Sequence, residues 1–281
     1  MKTSNKLLIA LALLLIIGPI LVIAINVKLN YVKSEGENTY LGTTIINDEA
    51  FDHPSVGRIA IPISTPFKGI QVDDAKRFSI QVYVKKDNRY GIKVQTFYKD
   101  MITSKVDQDG YLHISIKDPS GNIGVNKLIV VVYCPIVENI KIKNAYIAEI
   151  AAVADTLNVD VENSESLFFT GAFTVNDNKS NVAKVLNPTD INNLNLSLKN
   201  VEFNGYSSLI KELNIKALKS TVNIGSEDKS KIASYQNFSI VAKDSSLVKM
   251  QNVNATKISG NFSDDTQLQI PASILKRIFA N

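Results

Sequence analysis

The stretch LNVDVENSESLFF, residues 157–169, contains two short apolar strands joined by a polar corner. From Leu157 to Val161, apolar and polar residues alternate, which indicates a β-strand with one buried face. Asn163-Ser164 form the corner, because Asn and Ser side chains favour tight turns. The apolar residues 167–169 then predict a second strand.

The same arrangement recurs toward the C-terminus about once every 18–20 residues, a period typical of a solenoid. The corresponding first strands are residues 194–198, 213–215, 238–240 and 256–258. The corners that follow them are Asn200, Lys219-Ser220, Asp244-Ser245 and Ser263-Asp264. The second strands are residues 201–203, 222–224, 247–250 and 268–270. Leu157 and Leu194 are separated by about twice the repeat, so we expect one poorly matching turn with a loop insertion between them.

The repeat predicts an all-β fold in which stacked turns form parallel sheets around a narrow core. The positions predicted to point inward are Val159, Val161, Leu196, Leu198, Ile215, Ala217, Ile240, Ala242, Ile258 and Gly260. A more irregular β section precedes the repeat, with alternating strands at residues 67–72, 78–84, 90–95 and 111–116 and an apolar strand at residues 128–133. Pro271 and the amphipathic residues 273–279 predict a short cap on the last turn.

An unbroken apolar run of 19 residues extends from Leu7 to Ile25, close to the length that a helix needs to span a bilayer. Lys2 and Lys6 precede it, and positive charge before a span favours a cytoplasmic N-terminus. We therefore predict a short cytoplasmic N-terminus at residues 1–6 and a transmembrane signal anchor at residues 7–25. A signal peptide cleaved after the small residue Ala24 remains the alternative.

The rest of the chain divides into a linker and a folded domain. Residues 26–66 lack periodicity and are predicted to be a stalk, and residues 67–281 are predicted to form the β-solenoid domain. The net charge is +4 and the basic residues are scattered, so a nucleic-acid partner is not expected. The single cysteine, Cys134, is predicted to be a small buried core residue.

Few residues suggest chemistry, and each has a simpler structural explanation. Adjacent residues on a strand point to opposite faces, so neither acidic pair, Asp73-Asp74 or Asp264-Asp265, brings two carboxylates together at one site. Both pairs are predicted to form turns. The basic residues Lys85, Lys86, Arg89 and Lys93 are predicted to lie on a solvated hairpin, with an acidic glycan or a lipid headgroup as the alternative. His113 lies on the polar face of its strand. We predict no catalytic, cofactor-binding or metal-binding residue.

The order of these elements resembles that of a known family. Residues 66–72, 78–84, 90–94 and 109–114 are followed by VVVYCPIVENI, residues 130–140, and then by the repeats. This pattern, over about residues 60–270, resembles the head GIN domain proteins of Bacteroidetes-type bacteria, which are named as auto-transporter adhesins. The resemblance implies a right-handed parallel β-helix-like fold in the cell envelope and assigns no functional residue.

Three functions are compatible with these features. The first is a non-enzymatic envelope protein for adhesion, glycan binding or scaffolding, held in the bacterial inner membrane by a single span with its C-terminal domain in the periplasm, or secreted after cleavage. The second is a β-helix carbohydrate-active enzyme, which requires carboxylates and basic side chains in one groove. The third is an envelope-stress sensor. The expected partners are the membrane, through Leu7 to Ile25, and a glycan or another envelope protein.

Overall fold

The computed structural model describes residues 3–30, 50–55, 57–117, 127–171, 173–176, 183–186, 188–205, 209–226 and 232–280. The chain divides into two compact units, Met1–Tyr40 and Leu41–Asn281. Helix α1, Thr3–Asn30, belongs to the first unit and includes the helix predicted over residues 7–25. In the described part of the chain, no helix is both long enough and apolar enough to cross a membrane.

The second unit is all β in its described part, apart from a 3₁₀ helix at Thr96–Met101 and helix α2 at Ala272–Phe279. The strands are β1 Arg58–Pro62, β2 Gly69–Val72, β3 Ser79–Lys86, β4 Gly91–Gln95, β5 Ile102–Val106, β6 Tyr111–Ile116, β7 Lys127–Cys134, β8 Asn139–Lys143, β9 Ile147–Ala151, β10 Val153–Phe169, β11 Phe173–Asn176, β12 Ala183–Leu186, β13 Asp190–Gly205, β14 Leu209–Leu218, β15 Thr221–Gly225, β16 Ala233–Lys243, β17 Leu247–Gln251, β18 Val253–Phe262 and β19 Gln267–Gln269. Seventeen of them form one curled sheet, and β11 pairs with β12 separately.

Most strands of the large sheet belong to two columns of parallel pairs. The first column runs β6, β2, β8, the first half of β10, the first half of β13, β14, β16 and β18. The second column runs β7, β3, β9, the second halves of β10 and β13, β15, β17 and β19. Each layer therefore contributes one strand to each column, with a corner between them.

The predicted parallel register is confirmed across four layers and corrected in two places. Leu157 lies beside Leu194, and Leu213 lies between Leu194 and Phe238. Ile258 pairs with Phe238, two residues from the predicted alignment. The predicted extra turn between β10 and β13 is wrong, because these strands pair directly and the intervening chain carries the antiparallel hairpin β11–β12.

The side chains that point inward from both columns form one hydrophobic core. All ten positions predicted to face inward are buried except Gly260, which is partly exposed. Complete burial of one Leu, Ile or Val stabilises a protein by roughly 1.5–3 kcal/mol. Cys134 is buried in the same core, as predicted, and burial raises the pKa of its thiol to about 12.

The corners share a left-handed backbone. Asn163, Asn200, Lys219 and Asp244 have φ values of 50–55° at the predicted corners, and Asn144 adds an equivalent corner with φ 57°. Asn and Asp tolerate this conformation better than most residues. Asn144 had not been predicted as a corner.

A buried serine reinforces three of these corners. Ser164, Ser220 and Ser246 each direct the hydroxyl Oγ to the preceding strand, where it donates to a backbone carbonyl. The same oxygens accept a hydrogen bond from the backbone N–H of the neighbouring layer, as in Val201 N–H to Ser220 Oγ at 3.2 Å. Consecutive layers are therefore joined by side-chain bonds as well as by the backbone ladder.

Both ends of the stack are covered. Antiparallel strands continue it at the N-terminal end, where β5 pairs with β6 and β4 pairs with β7 and β1. At the C-terminal end, α2 buries Ile274 and Ile278, as the predicted cap required. The Arg277 guanidinium donates to the carbonyl oxygens of Ala255 and Thr256 on β18. These elements limit pairing of exposed strand edges with other chains.

The prediction of a solvated hairpin is wrong for Lys93, which is only 2% exposed. Its Nζ donates to the carbonyl oxygens of Ala50 and His53 at 3.0 and 2.8 Å and to Ser55 Oγ at 2.8 Å. Residues 50–55 therefore lie over the outer side of β4, within the segment assigned to the stalk. Sequence could not place a segment about 40 residues upstream against this lysine.

We expect Ser220→Ala to lower the free energy of unfolding by about 1–3 kcal/mol, because it leaves the buried Val201 N–H without its acceptor. Chemical denaturation of the full chain measures this change. The matched control, Ser197→Ala on the exposed face of β13, should remain within about 0.5 kcal/mol of the parent. Equal effects of the two substitutions would contradict a structural role for the corner serine.

Candidate binding face

A row of asparagines crosses the outer side of the first column, one residue per strand. Asn139, Asn158, Asn195 and Asn214 occupy the same register on β8, β10, β13 and β14, and we call them the amide row. They project outward because their neighbours on each side, such as Val159 and Leu196, point into the core. The alternation of the strands thus places four carboxamides along the stack.

Hydrogen bonds connect these carboxamides into a ladder. Asn158 Nδ2 donates to Asn139 Oδ1 at 3.2 Å, Asn195 Nδ2 to Asn158 Oδ1 at 2.9 Å, and Asn214 Nδ2 to Asn195 Oδ1 at 3.0 Å. All four side chains therefore have the same orientation. Stacked amides of this kind stabilise parallel, in-register strands.

Three members of the amide row, Asn158, Asn195 and Asn214, form one wall of a shallow groove of about 470 Å³. The neighbouring row supplies Asp160, Ser197, Lys216 and Val241, and Ser239 extends the amide row by one strand. Asp160 and Lys216 have opposite formal charges, so the groove has no net charge from its described side chains. The face offers hydrogen bonds without a strong electric field.

Charged residues beside the groove are already paired. The Glu162 carboxylate lies 2.6 Å from Lys199 Nζ and 3.1 Å from Lys143 Nζ. Hydrogen bonds from Lys199 and then from Lys143 lower the pKa of Glu162. Because these groups are exposed, the ion pairs contribute little to stability, and two lysines with one glutamate leave this edge of the face with a net formal charge of +1.

A second groove, of about 760 Å³, lies where the chain returns from the second column to the first. We call it the return groove. Its charged lining residues are Lys86, Glu138, Asp155, Asp190 and Lys211. Asn192 bridges two of them, because its Nδ2 donates to Asp155 Oδ1 at 2.7 Å and its Oδ1 accepts from Lys211 Nζ at 2.5 Å. The arrangement that a carbohydrate-active enzyme requires, with carboxylates and basic side chains in one groove, therefore occurs here.

His113 joins two carboxylates that are distant in sequence. Its Nε2 lies 2.7 Å from Asp107 Oδ2 and its Nδ1 lies 3.1 Å from Asp73. The hydrogen bond to Asp107, followed by the one to Asp73, raises the pKa of His113. The side chain lies on the polar face, as predicted, but it forms an ion-paired bridge instead of being freely solvated. Asp73 is thus more than a turn residue.

Glu149 is a buried carboxylate on the outer side of the second column. It is 5% exposed and accepts hydrogen bonds from Gln81 Nε2, from Tyr83 OH at 3.1 Å and from Thr170 Oγ1 at 2.6 Å. Burial raises the pKa of Tyr83, which keeps its hydroxyl as a donor. Both carboxylate oxygens are thus hydrogen bonded, and Glu149 lines neither groove.

The remaining predicted positions agree with simple structural roles. Asp74 Oδ1 accepts from the backbone N–H of Lys76 at 2.9 Å, as a turn residue does. Asp264 and Asp265 are exposed in the turn between β18 and β19. Arg89 pairs with Asp87 and Asp52. Among the described residues, no group of three or more His, Cys, Asp or Glu side chains could hold a metal ion.

The amide row was not predicted as a site. Its signal was present in the sequence, because Asn158, Asn195 and Asn214 follow Leu157, Leu194 and Leu213 in the aligned strands. Alternation alone identifies such residues as polar and outward. Only the parallel register brings three successive carboxamides into contact.

No family model and no curated protein matches the chain. A solved structure of a "putative adhesin" from Parabacteroides merdae is 11% identical, with a TM-score of 0.39, and the match covers 76% of this chain and 91% of the other. A "putative adhesin" from Bacteroides fragilis is 15% identical, with a TM-score of 0.38 and coverages of 77% and 94%. A "putative lipid binding protein" from Parabacteroides distasonis is 9% identical, with a TM-score of 0.37 and coverages of 77% and 97%.

These likenesses are too weak to carry an argument about this chain. No family model confirms the resemblance to head GIN domain proteins, although structures named as adhesins from Bacteroides-type bacteria are among the similar ones. The candidate site therefore depends on its own geometry.

We expect the stability of the protein to fall as the pH rises through the elevated pKa of His113. The folded state binds this proton more tightly than the unfolded chain, whose histidine pKa is about 6.5. The stabilisation is therefore complete below that value and is lost above the folded pKa. Urea denaturation over about pH 5 to pH 9, a range that spans the histidine titration, measures the free energy of unfolding. This free energy should fall with rising pH in the parent and not in His113→Gln.

The other histidine provides the control. His53 is exposed and hydrogen bonds to Lys93 through its backbone carbonyl only. His53→Gln should therefore keep the pH dependence of the parent. Loss of the slope in this variant, or its persistence in His113→Gln, would contradict the assignment to His113.

Proposed function

We propose that the second unit is a right-handed parallel β-helix that binds a glycan through the amide row and its groove, and that the protein is a non-enzymatic adhesion or scaffolding component of the cell envelope. The observation that carries this proposal is the hydrogen-bonded ladder of Asn139, Asn158, Asn195 and Asn214 on an open outer face. Carboxamides present both donors and acceptors, and hydroxyl-rich ligands match such groups.

The chemistry of the groove favours binding over turnover. Glycoside hydrolysis typically uses two carboxyl groups on either side of the scissile bond. Asp160 is the one carboxylate among the described residues that line the groove beside the amide row. The groove is also open, so a bound polymer could extend beyond both of its ends.

A second candidate function, a carbohydrate-active enzyme, is favoured by the return groove. Glu138, Asp155 and Asp190 line it together with Lys86 and Lys211. Two of its carboxylates already have partners, because Asp155 accepts from Asn192 and Glu138 pairs with Lys68 at 2.9 Å. We place this candidate second for that reason.

We expect the full chain to bind at least one class of glycan on a printed glycan array, and Asn195→Ala to weaken that binding by about three- to tenfold, the equivalent of one or two lost hydrogen bonds. Titration calorimetry with the best array ligand measures the change. Absence of binding to every glycan in a broad array would refute the proposed function.

The same ligands distinguish the two candidate functions. Under the binding proposal, the oligosaccharides remain intact after long incubation with the protein. Product formation that disappears in Asp155→Asn would favour the enzyme instead. The matched substitution Asp160→Asn, in the other groove, should leave such activity unchanged.

We also propose that the second unit lies outside the cytoplasm. This part of the proposal depends on the sequence, in which the positively charged Lys2 and Lys6 precede the apolar run from Leu7 to Ile25. In spheroplasts of the native host, added protease should degrade the second unit while a cytoplasmic marker survives. The intact mass of the recovered protein distinguishes a retained N-terminus from cleavage after Ala24, and full protection from protease would overturn the proposal.

A further inference from the structure

The amide row exposes more acceptors than donors. The oxygens of Asn139, Asn158 and Asn195 each accept one hydrogen bond from the next rung, and a carboxamide oxygen has two lone pairs. The donors are used more fully, because Asn158 Nδ2 also donates to the Glu138 carbonyl and Asn214 Nδ2 also donates to Asn193 Oδ1. The row therefore offers free acceptor sites in a line.

The spacing of these acceptors is that of the strands, about 4.8 Å. A peptide lying along the stack would place like side chains or like N–H groups about 6.6 Å apart, because a strand rises about 3.3 Å per residue. The N–H groups on one side of such a peptide would therefore not stay opposite successive carboxamides of the row. A pyranose ring in an extended 1,4-linked chain advances by nearly the spacing of one strand, so each sugar can present a hydroxyl to each rung.

The charge of the face restricts the ligand further. Phosphate and carboxylate groups are acceptors only, so the surplus of free acceptors in the row disfavours them. The charges of Asp160 and Lys216 cancel, and the exposed Lys143–Glu162–Lys199 group has a net formal charge of +1, a small charge that salt screens and that attracts a polyanion only weakly. A neutral polymer whose hydroxyls donate is the better complement.

We infer that the amide row binds a neutral, extended β-1,4-linked glycan lengthwise, with one sugar per strand and the chain parallel to the axis of the stack. This inference rests on the proposed function and specifies its ligand class. Four rungs correspond to about four sugars at the strand spacing. Ser239, which continues the row on β16, provides a hydroxyl at its end.

Calorimetric titration of the full chain with a length series of cello-oligosaccharides and chito-oligosaccharides tests this inference. Each added sugar up to about four or five, one per strand, should tighten binding by about two- to tenfold, and longer chains should bind no more tightly per site. Malto-oligosaccharides contain the same glucose units as the cello series in a curved α-1,4 chain. They should show no gain with length.

Two variants identify the face. Asn195→Ala removes a central acceptor and should abolish the gain beyond two sugars. Asn223→Ala is the matched control, because its Nδ2 donates to Asn204 Oδ1 at 2.9 Å in a similar ladder on the second column. It should bind as the parent does. Thermal denaturation verifies that each variant is folded.

The outcomes separate this inference from the proposed function. If cello- and chito-oligosaccharides fail to bind while other array glycans do, or if affinity is independent of length, the lengthwise β-1,4 mode is overturned and the glycan-binding function stands. Equal losses in Asn195→Ala and Asn223→Ala would also overturn the assignment to the amide row. If no glycan binds, the proposed function itself fails.

Discussion

The left-handed backbone at the corners is the constraint on which the rest of the second unit depends. With Asn163, Asn200, Lys219 and Asp244 in this conformation, the chain turns at the same register in each layer, and one-residue differences in corner length, as between Ser164 and Ser166, are absorbed before the second column. An uncompensated slip of one residue would turn the inward side chains of the following strand to the solvent. The buried serine hydroxyls oppose such a slip, because at all three corners each donates to a carbonyl of its own layer and accepts from an N–H of the previous one.

The parallel register places equivalent outward residues of successive strands side by side, so that they form a continuous surface. An asparagine next to an inward leucine is an ordinary outward polar residue on one strand. When Leu157, Leu194 and Leu213 are stacked, the asparagines beside them must also stack, and their carboxamides form a ladder. The same register places Glu162 between Lys143 and Lys199. The arrangement of the outer faces therefore follows from the alignment of the core. A ligand bound along such a face has to match the spacing of the strands.

Sequence predicted the parts of this structure that are local and periodic. The corners, the inward positions and the C-terminal cap follow from residue types over short distances. The interval between Leu157 and Leu194 was misread, because an insertion about as long as one repeat cannot be told from a degenerate turn by spacing alone. The burial of Lys93 by residues 50–55, and the meeting of Asp73, Asp107 and His113, depend on contacts between distant segments. A single sequence contains no periodic signal for such contacts.

The proposed binding mode leaves the hydrogen bonds of the amide ladder intact. The carboxamides of Asn139, Asn158 and Asn195 each use one lone pair of the oxygen to hold the next layer and keep the second for the proposed ligand. Binding therefore need not break an internal bond, and the acceptors are fixed before the ligand arrives, which reduces the entropic cost of association. A catalytic site in the same place would require side chains that move or exchange protons. A ladder of neutral amides provides neither, which is the physical reason why we propose binding at this face.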